Sequence, residues 1–303
     1  MSTTITVVVF GATGQQGGSV LRALASDSKY HIRAITRSTT SKKVLELALK
    51  YPHISWHEAD TSSSASVSAA VANADVVFGM TQYTIPSEST KSGSAEIDEG
   101  RRIIDACVNA RVQFVVFSTL PSALQISAGE CTQVKHFEDK YAIQQYLCEQ
   151  EGVDWAVVQP AVYLQNVPAS ARLDDEGVRL AFGFVGDVER KIPYVDVGRD
   201  FGSVVKYVID NRKEYAKRVV PAVSGFYSPR EIVDAFTEVT GIEAAVVNVP
   251  FEFVPDKNLR AMFEFLDRFD LFAQSDTCDL PLEFSTLRMF WEHCNFRGLP
   301  KKL

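Results

Sequence analysis

The chain has 303 residues, 46% of them hydrophobic and 23% charged, with a formal net charge of −7. That is the composition of a soluble globular protein with room for one large α/β domain, or one large and one small, and its acidic balance argues against direct binding to nucleic acid or anionic membranes. No apolar run approaches the roughly 18 residues of a membrane span. The run at 5–10 is too short for a signal peptide, and the cysteines (107, 131, 148, 278 and 294) form no Cys-x-x-Cys pair, so free thiols in a reducing compartment are expected.

Residues 5–9, ITVVV, are β-branched and predict a strand. Gly11, Gly14 and Gly17 follow at G-x-x-G-x-x-G spacing, and Val20, Leu21 and Leu24 then recur with helical period. A strand, a glycine-rich turn and a helix in that order form a cradle for a pyrophosphate. The first glycine turns the chain, the second lets backbone approach the phosphates, the third lets helix and sheet pack closely, and the helix N-terminus faces the anion. Thr13, Gln15 and Gln16 belong to the same turn.

A second strand at 31–36 completes a βαβ unit, and the residue that ends it chooses the cofactor. An acidic residue there would hold the ribose 2′-hydroxyl of NAD. Here Arg37 stands in that place, with Lys42 and Lys43 close behind. Those cations suit the 2′-phosphate of NADP, although the two lysines also read as the start of the helix at 42–50. After a third strand at 54–58, Asp60 either accepts from an adenine amino group or caps the helix at 64–73 with Thr61 beside it. A fourth strand at 75–80 leads to Thr81, Gln82 and Tyr83 at the sheet edge where open α/β sheets bind ligands. Residues 84–95, rich in Ser, Thr and Lys, read as a mobile loop beside the cofactor. A helix at 96–110 feeds a fifth strand ending at Ser118, a helix at 134–150 follows, and 155–159 is a sixth strand. The unalternated strands and βα rhythm predict a Rossmann-type, doubly wound parallel sheet.

The layout resembles the short-chain dehydrogenase/reductase superfamily in its atypical, NmrA-like branch. The stretch from Gly11 to Val20, Arg37, Asp60, Tyr83, the run from Val115 to Ser118, the run from His136 to Lys140, and Tyr163 to Asn166 carry the resemblance. It spans nearly the whole chain and is closest in look to NmrA-like redox-sensor proteins. In active members a Tyr-x-x-x-Lys pair moves the proton, and a serine ending strand five orients the substrate. The resemblance implies that Lys140 holds the nicotinamide ribose and that Ser118 fills the serine position. His136 stands where the tyrosine would be. One helical turn separates His136 from Lys140, so the imidazole is either a general acid or a residue that lines the ligand site. The segment holding Tyr163 and Asn166 crosses the nicotinamide in the family, so both are candidates for the cofactor, against a core tyrosine and a helix-capping asparagine. The sensor-like relatives carry a lysine where this chain has Asp98, which bears on NADP(H) affinity.

Beyond residue 167 the rhythm loosens. A helix over 196–211 opened by Asp196 or Asp200, a strand at 218–223, a capping box at Ser228-Pro229-Arg230-Glu231, a strand at 245–249, and aromatic-rich helical spacings at 258–272 and 281–295 are expected. The division is a dinucleotide-binding domain over 1–158, with 196–223 returning to it, and a smaller α+β lobe over 159–303 for a substrate or partner. No metal-ligand spacing and no Ser/His/Asp arrangement appears. Two functions fit. The missing tyrosine and the resemblance lean toward an NADP(H)-binding sensor that reports redox state to a regulatory protein in the cytoplasm, with entry to the nucleus left open. The alternative is an NADPH-dependent reductase of a quinone, enone, imine or phenolic molecule, since hydride transfer needs mainly positioning. Neither the substrate, the partner nor the oligomeric state is legible.

Overall fold

The computed structural model describes residues 4–83, 95–173, 179–273 and 280–297. The strands are β1 (Ile5–Val9), β2 (Tyr30–Thr36), β3 (Ser55–Glu58), β4 (Val76–Gly79), β5 (Phe114–Ser118), β6 (Asp154–Pro160) and β7 (Val162–Tyr163), then β8 (Ala171–Leu173), β9 (Leu180–Val185), β10 (Ile192–Val195), β11 (Arg218–Ala222), β12 (Gly225–Tyr227) and β13 (Ala244–Val249). The helices are α1 (Gln15–Ala25), α2 (Lys42–Lys50), α3 (Ser64–Val71), α4 (Ala95–Asn109), α5 (Ala123–Ile126), α6 (Lys135–Cys148), α7 (Gly202–Asp210), α8 (Arg212–Tyr215), α9 (Pro229–Thr240), α10 (Lys257–Arg268) and α11 (Leu287–His293). The expected mobile loop falls at 84–94, outside the described residues.

Seven strands form one sheet in the order β11-β6-β5-β4-β1-β2-β3, and every pairing in it is parallel. Parallel strands need helical crossovers on both faces, which explains why the β1 side chains are buried in both directions. Val7 and Val9 join a core with Val20, Leu21 and Leu24 of α1 and Val204, Val205 and Val208 of α7. Val8 and Phe10 join the opposite core with Ile103, Ile104 and Ile143. The order reverses at β1, which lies between β2 and β4. Connections leave to opposite sides there and open a crevice at the strands' C-terminal ends.

Two three-stranded sheets, β12-β10-β7 and β13-β9-β8, stand beyond the large one. A third core of Phe182, Phe236, Phe290 and Trp291 fastens the second of them to α9 and α11. The capping box that opens α9 is complete, with the Ser228 hydroxyl and Glu231 carboxylate each taking the other's backbone N–H.

Two expected helices differ. The segment from Asp196 first makes a wide π turn over Val197–Phe201, and α7 starts only at Gly202. Its end is tied to α1, since Gly202 N donates to Ser19 Oγ at 3.0 Å. The Asp200 carboxylate caps nothing. It accepts from the Ser224 hydroxyl and from the backbone N–H and hydroxyl of Ser285, each at 2.9 Å for Ser285. The second, α11, spans only Leu287–His293, and the Thr286 hydroxyl caps its first turn by accepting from the Met289 N–H at 3.3 Å.

Candidate functional site

A cavity of about 810 Å³ runs along the crevice. One end is the glycine turn, with Gly11, Thr13, Gly14, Gln15 and Gln16, and with Thr36 and Arg37 from the end of β2. Its middle is walled by Thr61, Thr81, Gln82, Tyr83 and Glu99, and by Ser118 and Thr119 at the end of β5. Its far end holds His136, Phe137 and Lys140 of α6, Tyr163, Asn166, and the apolar Met262, Leu266 and Leu271. The described residues thus bring to one cleft side chains from Phe10 to Leu271.

At the glycine end, Gly11 sits at φ +63°, a conformation that favours glycine. Gly17 lies behind the turn rather than in the cavity lining. A Cβ there would stand 2.3 Å from the Gly11 carbonyl oxygen, so its role is the close approach of α1 to the turn. The N-cap Gly14 offers no side-chain acceptor to the first turn of α1, and helix geometry leaves those N–H groups without intrahelical partners. They face the cleft as anion donors. Gln16 Nε2 donates to the Tyr163 hydroxyl across the cleft, and Gln16 Oε1 is buried without a protein partner. Burial pushes the Tyr163 phenol up to about 12, so it stays protonated at neutral pH.

Where the far end meets Thr81, Lys140 is tightly held. Its ammonium donates to the Thr81 carbonyl at 2.9 Å, the Thr81 hydroxyl at 3.3 Å and Glu96 Oε1 at 2.5 Å. The pair is largely buried, with side-chain exposures of 15% for Lys140 and 8% for Glu96. Glu99, one turn further along α4, also faces the cavity. Burial holds its carboxyl above the usual range, with the Thr61 hydroxyl pulling the other way.

His136 is 7% exposed. Burial lowers its pKa, and the Lys140 charge lowers it further, against a bond to Asn258 that acts in the opposite direction. The ring is therefore neutral at neutral pH. Tyr83 lies beside it, ring centroids 5.1 Å apart, and Phe137 meets it edge-on at 4.8 Å. Ser118 is 4% exposed and ends β5 at the cavity wall, as the sequence places it.

Besides Gly17, the expected cofactor residues Lys42 and Asp60 stand apart from the cavity, as does Asp98. The Lys42 side chain is 91% exposed and leans toward Glu46 at 3.9 Å. Asp60 accepts from the backbone N–H of Ser62 at 2.9 Å and its hydroxyl at 2.7 Å, which holds its carboxyl below the usual range. Thr61, its neighbour, faces the cavity instead. Asp98 is exposed on the outer face of α4. The acids that α4 turns inward are Glu96 and Glu99, two positions before and one after it. The sequence reading passed over these two and Asn258. A signal for the first was present, since a buried lysine needs a counter-ion and Glu96-x-x-Glu99 places two carboxylates on one helical face. Among the described residues no group of three or more His, Cys, Asp or Glu could hold a metal, and no helix is long and apolar enough to cross a membrane.

The NmrA-like family model matches residues 3–289. The chain belongs to the NmrA-like family. Among curated relatives, an NmrA-like family domain-containing oxidoreductase, FrzB, from a Cladobotryum species is 31% identical over 78% of this chain and 74% of its own. A second, ptmS from Penicillium ochrochloron, is 30% identical over 78% and 73%. Among solved structures, a double mutant of NmrA superposes with a TM-score of 0.78 at 17% identity, covering 97% of this chain and 96% of that one. NmrA, a negative transcriptional regulator, in complex with NADP gives 0.72 at 18% identity, over 88% and 83%. An NADPH-dependent quinone oxidoreductase from Escherichia coli complexed with NADPH gives 0.68 at 18%, over 95% and 99%. At these identities the structural likeness is one of fold.

Proposed function

We propose that this chain binds NADP(H) in the crevice and reduces a flat, largely apolar small molecule of the quinone, enone, imine or phenolic class. One observation carries the reading. A single cavity joins the glycine turn, built for phosphates, to an aromatic and aliphatic end made by Tyr83, Phe137, Met262, Leu266 and Leu271. A dinucleotide in the first part leaves the second part for a substrate.

The residues present fit the cofactor. The uncapped first turn of α1 offers N–H donors to a pyrophosphate. Arg37, exposed at the mouth, suits a 2′-phosphate. The orphaned Gln16 Oε1 is an acceptor awaiting a donor. When bound, the dinucleotide supplies hydride. The protein's part is to orient the ligand, exclude water and hold charge near Lys140. That curated relatives carry oxidoreductase names supports the enzyme reading, as does the E. coli quinone oxidoreductase among structural neighbours.

A second reading, a redox sensor acting through a regulatory protein, draws on one observation. All three donors of Lys140 are already directed at Thr81 and Glu96, so cofactor can be held without an activated lysine. Titration with NADPH, NADP⁺ and NADH, followed by NADPH absorbance against a panel of quinones, enones and imines, separates the two. Turnover that Lys140→Ala abolishes is the reductase outcome. Tight binding with no consumption across the panel is the sensor outcome, and absence of dinucleotide binding contradicts both.

A further inference from the structure

The N-terminus of α6 is not capped by its own chain segment. Its N-cap, Val134, makes no side-chain bond to the first turn. A residue 122 positions away does so instead, as Asn258 Oδ1 accepts from the His136 backbone N–H at 3.3 Å. A backbone N–H can only donate, so this bond fixes which end of the Asn258 amide faces α6. The same Oδ1 lies 2.9 Å from His136 Nδ1. An amide oxygen only accepts, so Nδ1 must carry the imidazole proton. Asn258 itself is held in place because it lies in the first turn of α10, which Asp256 caps through a 2.7 Å bond from the Leu259 N–H.

The consequence falls on the other nitrogen. With the proton on Nδ1, Nε2 is a lone-pair acceptor and cannot donate. His136 lines the cavity, and Nε2 has no partner among the described residues. Tyr83 and Phe137 stand against the imidazole, and Met262, Leu266 and Leu271 line the same end of the cavity, so Nε2 is an acceptor set in an aromatic and aliphatic surface. Within the classes proposed above, such a surface favours a flat ligand that also carries a hydroxyl hydrogen for Nε2 over one that presents only an acceptor to it, since two acceptors would then face each other.

We propose that Asn258 fixes His136 as the Nδ1-protonated tautomer, and that His136 Nε2 accepts a phenolic or enolic hydroxyl and so selects a hydroxyl-bearing aromatic ligand at this site. This rests on the reductase reading for the location of the ligand, and it replaces the general-acid role for His136 with that of an acceptor. Asn258 is a positioning residue and touches no ligand. A ribose hydroxyl of the cofactor has the same donor chemistry, so the test must tell the two sources apart.

The full chain saturated with NADP⁺ is titrated with 2-naphthol and with 2-methoxynaphthalene, which differ in the one hydrogen that matters. The naphthol is expected to bind roughly three- to tenfold more tightly, the range of one neutral hydrogen bond. That preference should vanish in His136→Phe and in Asn258→Leu. It should persist in Asn258→Asp, whose carboxylate still accepts from both donors. Independently of any ligand, nitrogen-15 spectra of the imidazole should show Nδ1 protonated in the wild type and in Asn258→Asp, and a mixed population in Asn258→Leu. An Nε2-protonated wild type, equal or undetectable binding of the two probes, or a preference that survives both disabling variants would overturn the proposal. So would a loss of NADP⁺ affinity in His136→Phe with the naphthol preference intact, which would assign the acceptor to the ribose. None of these readouts uses turnover. A protein that shows the preference but never consumes NADPH would therefore count against the reductase reading alone.

Discussion

Lys140 has three ammonium protons, and Thr81 and Glu96 take them all. Glu96 keeps its other oxygen, Oε2, buried without a partner. Removing the charge on one side of such a pair leaves the other uncompensated in a desolvated place. Glu96→Gln is therefore expected to lower stability by about 1–3 kcal/mol in chemical denaturation, and to free Lys140 for the cleft, so that NADPH binds more tightly; unchanged stability and unchanged affinity together would contradict the arrangement. His136 gives a pH dependence. Burial lowers its pKa from the ordinary 6.5, so the unfolded chain takes up the proton before the folded one does. Stability is then level above about pH 6.5 and declines as pH falls below it. Denaturation at about pH 7.5 and about pH 5.5 should show that loss in the wild type and less of it in His136→Phe. At this scale the sequence was informative about position where a motif fixes a residue on its element, as at Gly11, Gln16, Ser118 and Lys140, all of which line the cavity. It was not where a partner comes from far along the chain. Asn258 is 122 positions from the histidine it orients, and no local pattern records that. Asp60 shows the other limit, since a short carboxylate beside Ser62 satisfies itself locally.

At the scale of elements, the first βα unit does the most for the site. A methyl group at residue 17 would meet the Gly11 carbonyl oxygen at 2.3 Å, and that atom belongs to rigid backbone. Gly17→Ala is expected to cost about 3 kcal/mol and to abolish dinucleotide binding. Ser228→Ala is the control. It removes the box that opens α9, well away from the cavity. It should cost about 1 kcal/mol and leave NADPH affinity unchanged; a change in affinity would mean that the C-terminal sheets set the cleft's shape. The inner strands β1, β4 and β5 were legible because they are nearly unbroken apolar runs, a signal that burial on both faces of a parallel sheet demands, and the helices α1 and α4 because each carries an apolar stripe. Short strands such as β7, β8 and β12 were not, since two or three residues carry no periodicity. The π turn at Val197–Phe201 and the non-helical run before Thr286 were missed, since contacts made across the chain leave no local pattern. Asp200 and Ser285, 85 positions apart, bond to each other there.

Across the whole molecule, the fold gathers one cleft from both ends of the chain, with Gly11 at one extreme and Leu271 at the other. Binding there should stabilise everything that borders it. NADPH at about a hundred times its dissociation constant is expected to add about 2.7 kcal/mol to unfolding, seen as a rise in melting temperature that NADH reproduces only at higher concentration. The parallel sheet was readable from the sequence because the glycine turn and the βα rhythm agree with one another, and the family was readable as a resemblance carried by motifs from Gly11 to Asn166. Substrate choice was not, since the walls that decide it come from α6 and α10, which meet only in the folded chain. The most direct test of the account is a fluorescence titration of the wild type and Arg37→Ala with NADPH and with NADH. The wild type should prefer NADPH, and Arg37→Ala should lose about tenfold or more of its NADPH affinity while NADH binding changes little. Saturable binding of neither dinucleotide, or equal losses for both in Arg37→Ala, would contradict the assignment of this cleft to NADP(H).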